Sequence, residues 1–344
     1  MLKRSMRILL SFLLAAFFLY LFARNLDFDQ LVGHVTEAKP SWLALAVLMQ
    51  IVHLVVRCLR WRILLAPIKP GIRFYSLFSA TSIGYLVTML LPLRLGEILR
   101  PVMLGRKEKV SKSGAIATCV LERLMDMLSV ALLLGVYLLF FFEPPAVAST
   151  ILDVTDLRGL GLLLGLGTLA LFPILFLVVH YRHRLMDRLT RKHGEDSSLL
   201  RILHSFLGGF DAVKGGWVFT LAWIQSIAIW LVITASIWAS LEAFDIRIGF
   251  ANSLLMMALL TVGIAVPTQG GVGTYEFAGK LGLVEFFGIE PNRAAATILV
   301  THIFAIGPSI VIGIALLWKE GLSLGALSRI TKEAVSVRPE GASR

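Results

Sequence analysis

The chain has 344 residues, of which 57% are apolar or aromatic and only 16% charged, with a formal net charge of +11. A mean hydropathy of +0.81 excludes a soluble globular domain, which at this length needs far more polar surface. The positive charge sits in short stretches between apolar runs, the pattern of loops on the cytoplasmic side of a membrane rather than of a nucleic-acid surface.

In chain order, a basic segment (residues 1–7) precedes an apolar run at 8–23. The run continues through Phe17, Phe18, Tyr20 and Phe22 to Arg24 with no small-residue cleavage site, so it reads as a retained helix rather than a signal peptide. A spanning helix needs about 20 apolar residues, and further spans are predicted at 41–59, 114–142, 159–180, 217–240 and 294–318. Two other apolar stretches, 74–93 and 251–266, end differently. Each runs into a proline followed by glycines and charges: Pro92, Arg94, Gly96 and Glu97 in the first, Pro267, Gly270, Gly271, Gly273, Tyr275 and Glu276 in the second. Proline and glycine break helices, and broken backbone inside a bilayer is tolerated only where protein or a wet cavity covers it.

Loop charge decides how these two stretches are read. If all eight segments spanned, the basic segment 181–216 would face away from the cytoplasm, against the positive-inside rule. If 74–110 and 251–290 are re-entrant hairpins, the cytoplasmic segments hold 26 Lys and Arg and the outer segments 6. The predicted fold is therefore an all-α polytopic membrane protein with about six transmembrane helices and two re-entrant helical hairpins. Both termini are expected to be cytoplasmic and the chain integral to the plasma (inner) membrane. Residues 1–318 form one membrane domain made of two inverted repeats, about 8–142 and 159–318, and 319–344 a cytoplasmic tail. Inverted repeats with broken helices are a transporter pattern, with binding sites at the breaks.

Three clusters carry candidate chemistry. Arg94, Glu97 and Arg100 flank Gly96 in the first break. Glu122, Arg123 and Asp126 lie on the helix that starts near residue 114, with Glu122 and Asp126 four apart on one face. Such groups are costly in an apolar helix unless paired or wet. They either tie helices together or line an anion-accepting cavity, where the planar guanidinium suits phosphate. The third cluster, Gly270, Gly271, Gly273, Tyr275 and Glu276, is either a plain helix-breaking turn or a cradle of backbone N–H groups at the start of a helix near Thr274. Glu276 would then pair with an arginine of the first hairpin, bind a cationic headgroup or carry a proton. His53 and His302 occur singly in spans and read as structural, while His180, His183 and His193 belong to a basic loop. Segment 181–216 reads either as an interfacial amphipathic helix or as an ordinary basic loop. Cys58 and Cys119 form no disulfide or metal pattern, and neither zinc nor nucleotide motifs occur. No metal or cofactor is expected.

Pro92-x-Arg94-x-Gly96-Glu97-x-x-Arg100, then Glu122-Arg123-x-x-Asp126, then Pro267 through Glu276, occur in this order. Together they resemble the lysylphosphatidylglycerol synthase transmembrane (flippase-like) family. The resemblance covers nearly the whole chain and departs at Gln269, where a second proline is common. It implies translocation of a lipid rather than aminoacylation, since the synthases carry a further cytosolic transferase domain. Standalone members of the family also resemble proteins linked to hopanoid lipids or to lipid-linked glycosylation, so the resemblance leaves the cargo open.

The resulting expectation is a lipid translocator, not an enzyme, acting on a membrane lipid with a polar, anionic or modified headgroup. Arg94, Arg100 and Arg123 would hold the phosphate, and Glu97, Glu122, Asp126 and Glu276 would balance charge or carry protons. Two alternatives stand beside it: a non-catalytic partner of a lipid-modification or lipid-linked glycosylation enzyme, and an intramembrane lipid-linked transferase.

Overall fold

The computed structural model describes residues 2–90, 95–143, 158–171, 177, 181, 216–323 and 325. Arg94, the rest of the first break, His180, His183, His193, most of segment 181–216 and the tail beyond Gly325 lie outside the described residues. Among those described, the chain is all helix. The elements are α1 (Leu2–Ala23), α2 (Phe28–Thr36), α3 (Pro40–Leu65), α4 (Phe74–Leu90), α5 (Leu95–Glu108) and α6 (Lys112–Phe140). They continue with α7 (Arg158–Leu171), α8 (Gly216–Ala243), α9 (Gly249–Ala265), a 3₁₀ turn at Gln269–Gly271, α10 (Thr274–Phe287) and α11 (Pro291–Lys319).

The helix ends follow local chemistry. Pro40 and Pro291 stand in the first turns of α3 and α11, where a missing N–H costs nothing. Asp27 caps α2 by accepting from the N–H groups of Asp29 at 3.0 Å and Gln30 at 3.2 Å. Glu290 caps α11 through Asn292 and Arg293. Gly288 ends α10 in the left-handed region, at φ 63°.

Four helices are long and apolar enough to cross a membrane: α3, α6, α8 and α11. A fifth span results if α1 and α2 count as one segment, bent by 86° at the break between them. The chain is an all-α polytopic integral membrane protein. Sequence reading gave α1 as a single span and had no α2. The break arises because Asn25 adopts φ 64° and Asp27 starts a new helix. Span ends shift as well: α3 continues to Leu65, six residues past the predicted 59, because Trp61, Leu64 and Leu65 are buried and extend its packed face.

Both expected helical hairpins are present. In the first, α4 packs on α5, and the contact is so close that a Cβ on Gly96 would lie 1.8 Å from the Gly84 carbonyl oxygen. In the second, α9 packs on α10, and a Cβ on Gly263 would lie 2.8 Å from the Thr274 carbonyl oxygen. Each pairing among α3–α6 has a counterpart among α8–α11, as α3 on α4 with α8 on α9 and α5 on α6 with α10 on α11, and pairings between the two sets match as well: α4 on α11 with α9 on α6, and α3 on α11 with α8 on α6. The two equivalent helices α3 and α8 pack on each other.

Polarity is distributed as lipid solvation requires. Large apolar side chains such as Phe12, Phe17, Leu163, Val262, Val311 and Trp318 are exposed. Small and hydroxyl residues, among them Ser76, Ser79, Thr81, Ser82 and Gly84 of α4, face inward. Ser82 and Thr88 bond within the helix, to the Phe78 carbonyl at 2.8 Å and to that of Gly84 at 2.9 Å, whereas the Ser76 and Ser79 hydroxyls reach the carboxylates of Glu108 and Glu320. Small and internally bonded side chains of this kind let helices approach closely.

Candidate functional site

The charged cluster is assembled from three helices. Glu122 and Asp126 sit one turn apart on α6, and Arg57 and Arg60 lie three apart on α3, so each pair shares a face. Arg60, fully buried, bridges both carboxylates: Nη1 lies 2.6 Å from Asp126 Oδ1 and Nε 3.4 Å from Glu122 Oε1. Arg60 also donates to the Ser226 hydroxyl of α8 at 2.7 Å. Arg100 of α5 reaches Glu122 Oε2 at 2.9 Å and lies over the Trp61 ring, 3.8 Å from its centroid. Trp61 is held in turn by its N–H donating to the Thr118 hydroxyl at 3.0 Å. Burying so many charges is tolerated because each finds an opposite partner; removing one leaves an uncompensated buried charge.

Two arginines stand at the edge of this network. Arg57 Nη1 is 3.3 Å and Arg123 Nη1 3.5 Å from the same oxygen, Asp126 Oδ2. Arg123 Nε also approaches Glu97 Oε2 at 3.8 Å. Arg57 is 4% exposed, and its Nε has no hydrogen-bond partner. Four guanidinium groups thus face three carboxylates, leaving one positive charge in excess among the described residues.

The second centre surrounds the glycine-rich turn. Gly270, Gly271 and Gly273 adopt φ of 63°, 78° and 83°, which side chains disfavour. At Gly273 the backbone of α1 also comes so close that a Cβ would lie 2.5 Å from the Ala15 carbonyl oxygen. The Gly273 N–H donates to Glu276 Oε2 at 2.7 Å, so the carboxylate caps its own helix. Glu276 Oε1 lies 2.6 Å from Nδ1 of His302, on α11. The other ring nitrogen of His302 faces the Gly270 carbonyl oxygen at 3.2 Å, and Tyr275 stacks on the ring at 4.2 Å.

A cavity of about 240 Å³ joins the two centres. Arg57, Arg123 and Glu97 line one end; Thr268, Gly270, Gly271 and Tyr275 line the other. His53 lies on its wall with Nε2 unpartnered. A second pocket of about 310 Å³, mostly apolar, lies between α5 and α6 and shares Tyr85, Thr88, Glu97 and Arg123 with the first. Its outer wall includes Ile98, Ile116 and Val120, all exposed. An apolar flank therefore leads to the charged end of the central cavity.

The sequence-predicted residues separate accordingly. Glu97, Arg123, Gly270, Gly271 and Tyr275 line the cavity. Glu122 and Asp126 lie behind it, anchoring the arginines. Arg100 and Gly96 line the flanking pocket instead, with Arg100 occupied by Glu122 and Trp61. Gly273 and Glu276 sit behind the turn, and the Gly273 N–H is taken by Glu276, so it is no free anion donor. Among the described residues the side-chain partner of the Glu276 carboxylate is His302. Arg57, Arg60 and His302 escaped sequence reading. Arg57 stands in the last turn of the predicted span and Arg60 just beyond it, where basic residues read as markers of the cytoplasmic side, and His302 has no partner nearby in sequence. Without Arg57 and Arg60 the charge ratio is still 24 to 6.

Comparison with known proteins agrees with the motifs. The family described as "Lysylphosphatidylglycerol synthase TM region" matches residues 8–313. A UPF0104 membrane protein of Methanocaldococcus jannaschii is 21% identical over 92% of this chain and 94% of its own length. Another, from Methanothermobacter thermautotrophicus, is 22% identical over 81% of this chain and 85% of its own length. The glycosyltransferase AglD of Haloferax volcanii is 22% identical over 97% of this chain, which spans only 57% of that protein's length. The chain belongs to the lysylphosphatidylglycerol synthase transmembrane family.

Proposed function

We propose that the protein translocates a lipid with an anionic headgroup between leaflets, the headgroup passing through the central cavity while the acyl chains stay against the apolar flank between α5 and α6. The carrying observation is that one cavity is lined at one end by Arg57, Arg123 and Glu97 and at the other by the glycine-rich turn. The excess positive charge beside it favours a phosphate. Arg57 offers an unpartnered Nε, and Arg123 a side chain that is 41% exposed. Guanidinium groups stay charged and bind phosphate at two points. The matched helix pairings support two repeats that rock about the cavity, the mode of inverted-repeat transporters. Both termini then lie in the cytoplasm of a cell whose inner membrane holds the chain.

The test is leaflet exchange of headgroup-labelled anionic lipid in proteoliposomes. Wild type should accelerate exchange well above protein-free vesicles. Arg57→Gln and Arg123→Gln should fall to that background while eluting as the same folded species. Wild-type rates in both variants would remove the cavity from the reading.

The relative named as a glycosyltransferase favours a narrower cargo, a sugar-bearing lipid. It equally favours a supporting role beside a lipid-linked glycosylation enzyme. In that role both arginine variants would preserve the partner's product yield.

A further inference from the structure

Neutral imidazole has one N–H donor and one acceptor nitrogen. In His302, Nδ1 faces a carboxylate oxygen of Glu276 at 2.6 Å and Nε2 faces the carbonyl oxygen of Gly270 at 3.2 Å. Carbonyl and carboxylate oxygens only accept. Both contacts are satisfied together only if the pair holds one proton beyond that of neutral imidazole with ionised carboxylate. That proton resides on Nδ1, as imidazolium, or on Glu276, which then donates to Nδ1. Both side chains are buried, at 4% and 5% exposure. The hydrogen bonds of the pair join three parts of the site. Glu276 caps α10 through Gly273, His302 belongs to α11, and Gly270 lies on the cavity wall.

Loss of the proton leaves one N–H for two acceptors. The neutral ring keeps it on Nδ1, where the carboxylate at 2.6 Å forms the stronger, charge-assisted bond, so the contact that fails is the one from Nε2 to the Gly270 carbonyl oxygen on the cavity wall. Other groups do not replace it. Tyr275 stacks on the ring and Thr268 bonds Thr274 beside it. α9 has no charged side chain, and α1 has none from Ser11 to Ala23. α4 has none either, and Tyr85 is its one titratable residue on the cavity wall, beside Thr88 and Met89. Lys280, on α10, is bonded to the Phe22 carbonyl oxygen. Arg57, His53, Arg123 and Glu97, from α3, α5 and α6, line the far part of the same cavity.

We propose that Glu276 and His302 form a proton-carrying site that couples lipid movement to a transmembrane proton gradient. This rests on the translocator reading and adds to it the driving ion. One proton is taken up by the pair from one side and released to the other as the turn at Gly270–Gly273 rearranges. No bond other than the N–H or O–H is made or broken.

Two measurements on the full chain test it. In proteoliposomes bearing headgroup-labelled anionic lipid and an internal pH dye, a gradient of about one pH unit should bias the leaflet ratio by up to about tenfold per proton carried. Lipid movement should be accompanied by proton flux. His302→Gln should lose both the bias and the flux. Wild-type exchange with neither bias nor flux would overturn the coupling and leave translocation standing, whereas no exchange under any gradient would overturn translocation and the coupling with it. The second measurement reads the proton directly, by nitrogen NMR of labelled histidine and the carboxyl infrared band, in nanodiscs at neutral pH. An imidazolium signal or a protonated-carboxyl band that disappears in His302→Gln and Glu276→Gln supports the pair. Neutral imidazole beside ionised carboxylate overturns it, whatever the transport result.

Discussion

At Gly96 and Gly33 the same substitution should have opposite signs. A Cβ on Gly96 would overlap the Gly84 carbonyl oxygen and also fall 2.3 Å from the Thr88 hydroxyl, with no flexible side chain to yield. Gly96→Ala should destabilise toward the upper end of the about 1–3 kcal/mol usual for overpacking. Gly33 lies within α2 with nothing within 4 Å of a Cβ, so Gly33→Ala should stabilise by about 0.5–1 kcal/mol through helix propensity alone. Thermal unfolding in detergent decides both. The contrast also shows what a motif glycine is doing: Gly96, a candidate ligand-cradle residue by its place beside Arg94 and Glu97, is required here by the close packing of α4 on α5. Gly273 is required for a different pair of reasons, its positive φ and the passing backbone of α1. Sequence shows where such a glycine stands, and only the neighbour shows why.

Among elements, α2 is tied to α11 by polar contacts. Asn292 of α11 accepts from the Asp27 N–H at 2.9 Å and donates to the Gln30 side chain at 3.0 Å. These bonds tie the start of α2 to the start of α11. Asn292→Ala should cost about 1–3 kcal/mol, because it strands a donor and an acceptor that water replaces poorly in a partly buried site. Hydrogen exchange should show the loss first in α2 and leave α3 and α8, which pack along each other, unchanged. The four long spans were legible from the apolar runs, since lipid rewards continuous apolarity and little else produces it. The two hairpins were legible from Pro and Gly at their breaks. Nothing comparable announced α2, a nine-residue helix with mixed composition whose contacts are with a segment more than 260 residues away.

Among the described residues a central cavity lies between two sets of matched helices, and the proposed transport should depend on that space. Thr261 of α9 lines the cavity and is only partly buried. Thr261→Trp places an indole in a volume of about 240 Å³. Leaflet exchange should drop to the protein-free background while thermal unfolding changes little, since the ring enters space rather than packed core. A transport rate equal to wild type would place the lipid path elsewhere. At this scale a buried network of ions is weak evidence for stability, because desolvation offsets most of the attraction. Its value here lies in orientation: Glu122, Asp126 and Arg60 hold Arg57 and Arg123 at the cavity edge.

Composition and periodicity alone determined that the chain is helical, crosses a membrane and breaks two of its helices beside charged residues. The motif order determined its family. These are properties of local sequence, because the bilayer acts on each segment separately and tolerates polar or broken backbone only for a reason. Which charges form the site was decided by tertiary structure. Arg57, at the end of its predicted span, and Arg60, just past it, look like cytoplasmic-side charges until α3 is seen to continue beyond both. His302 looks isolated until α10 brings Glu276 to it across 26 residues of chain. A buried ion is acceptable only with its partner, and partners on different helices meet only when those helices pack.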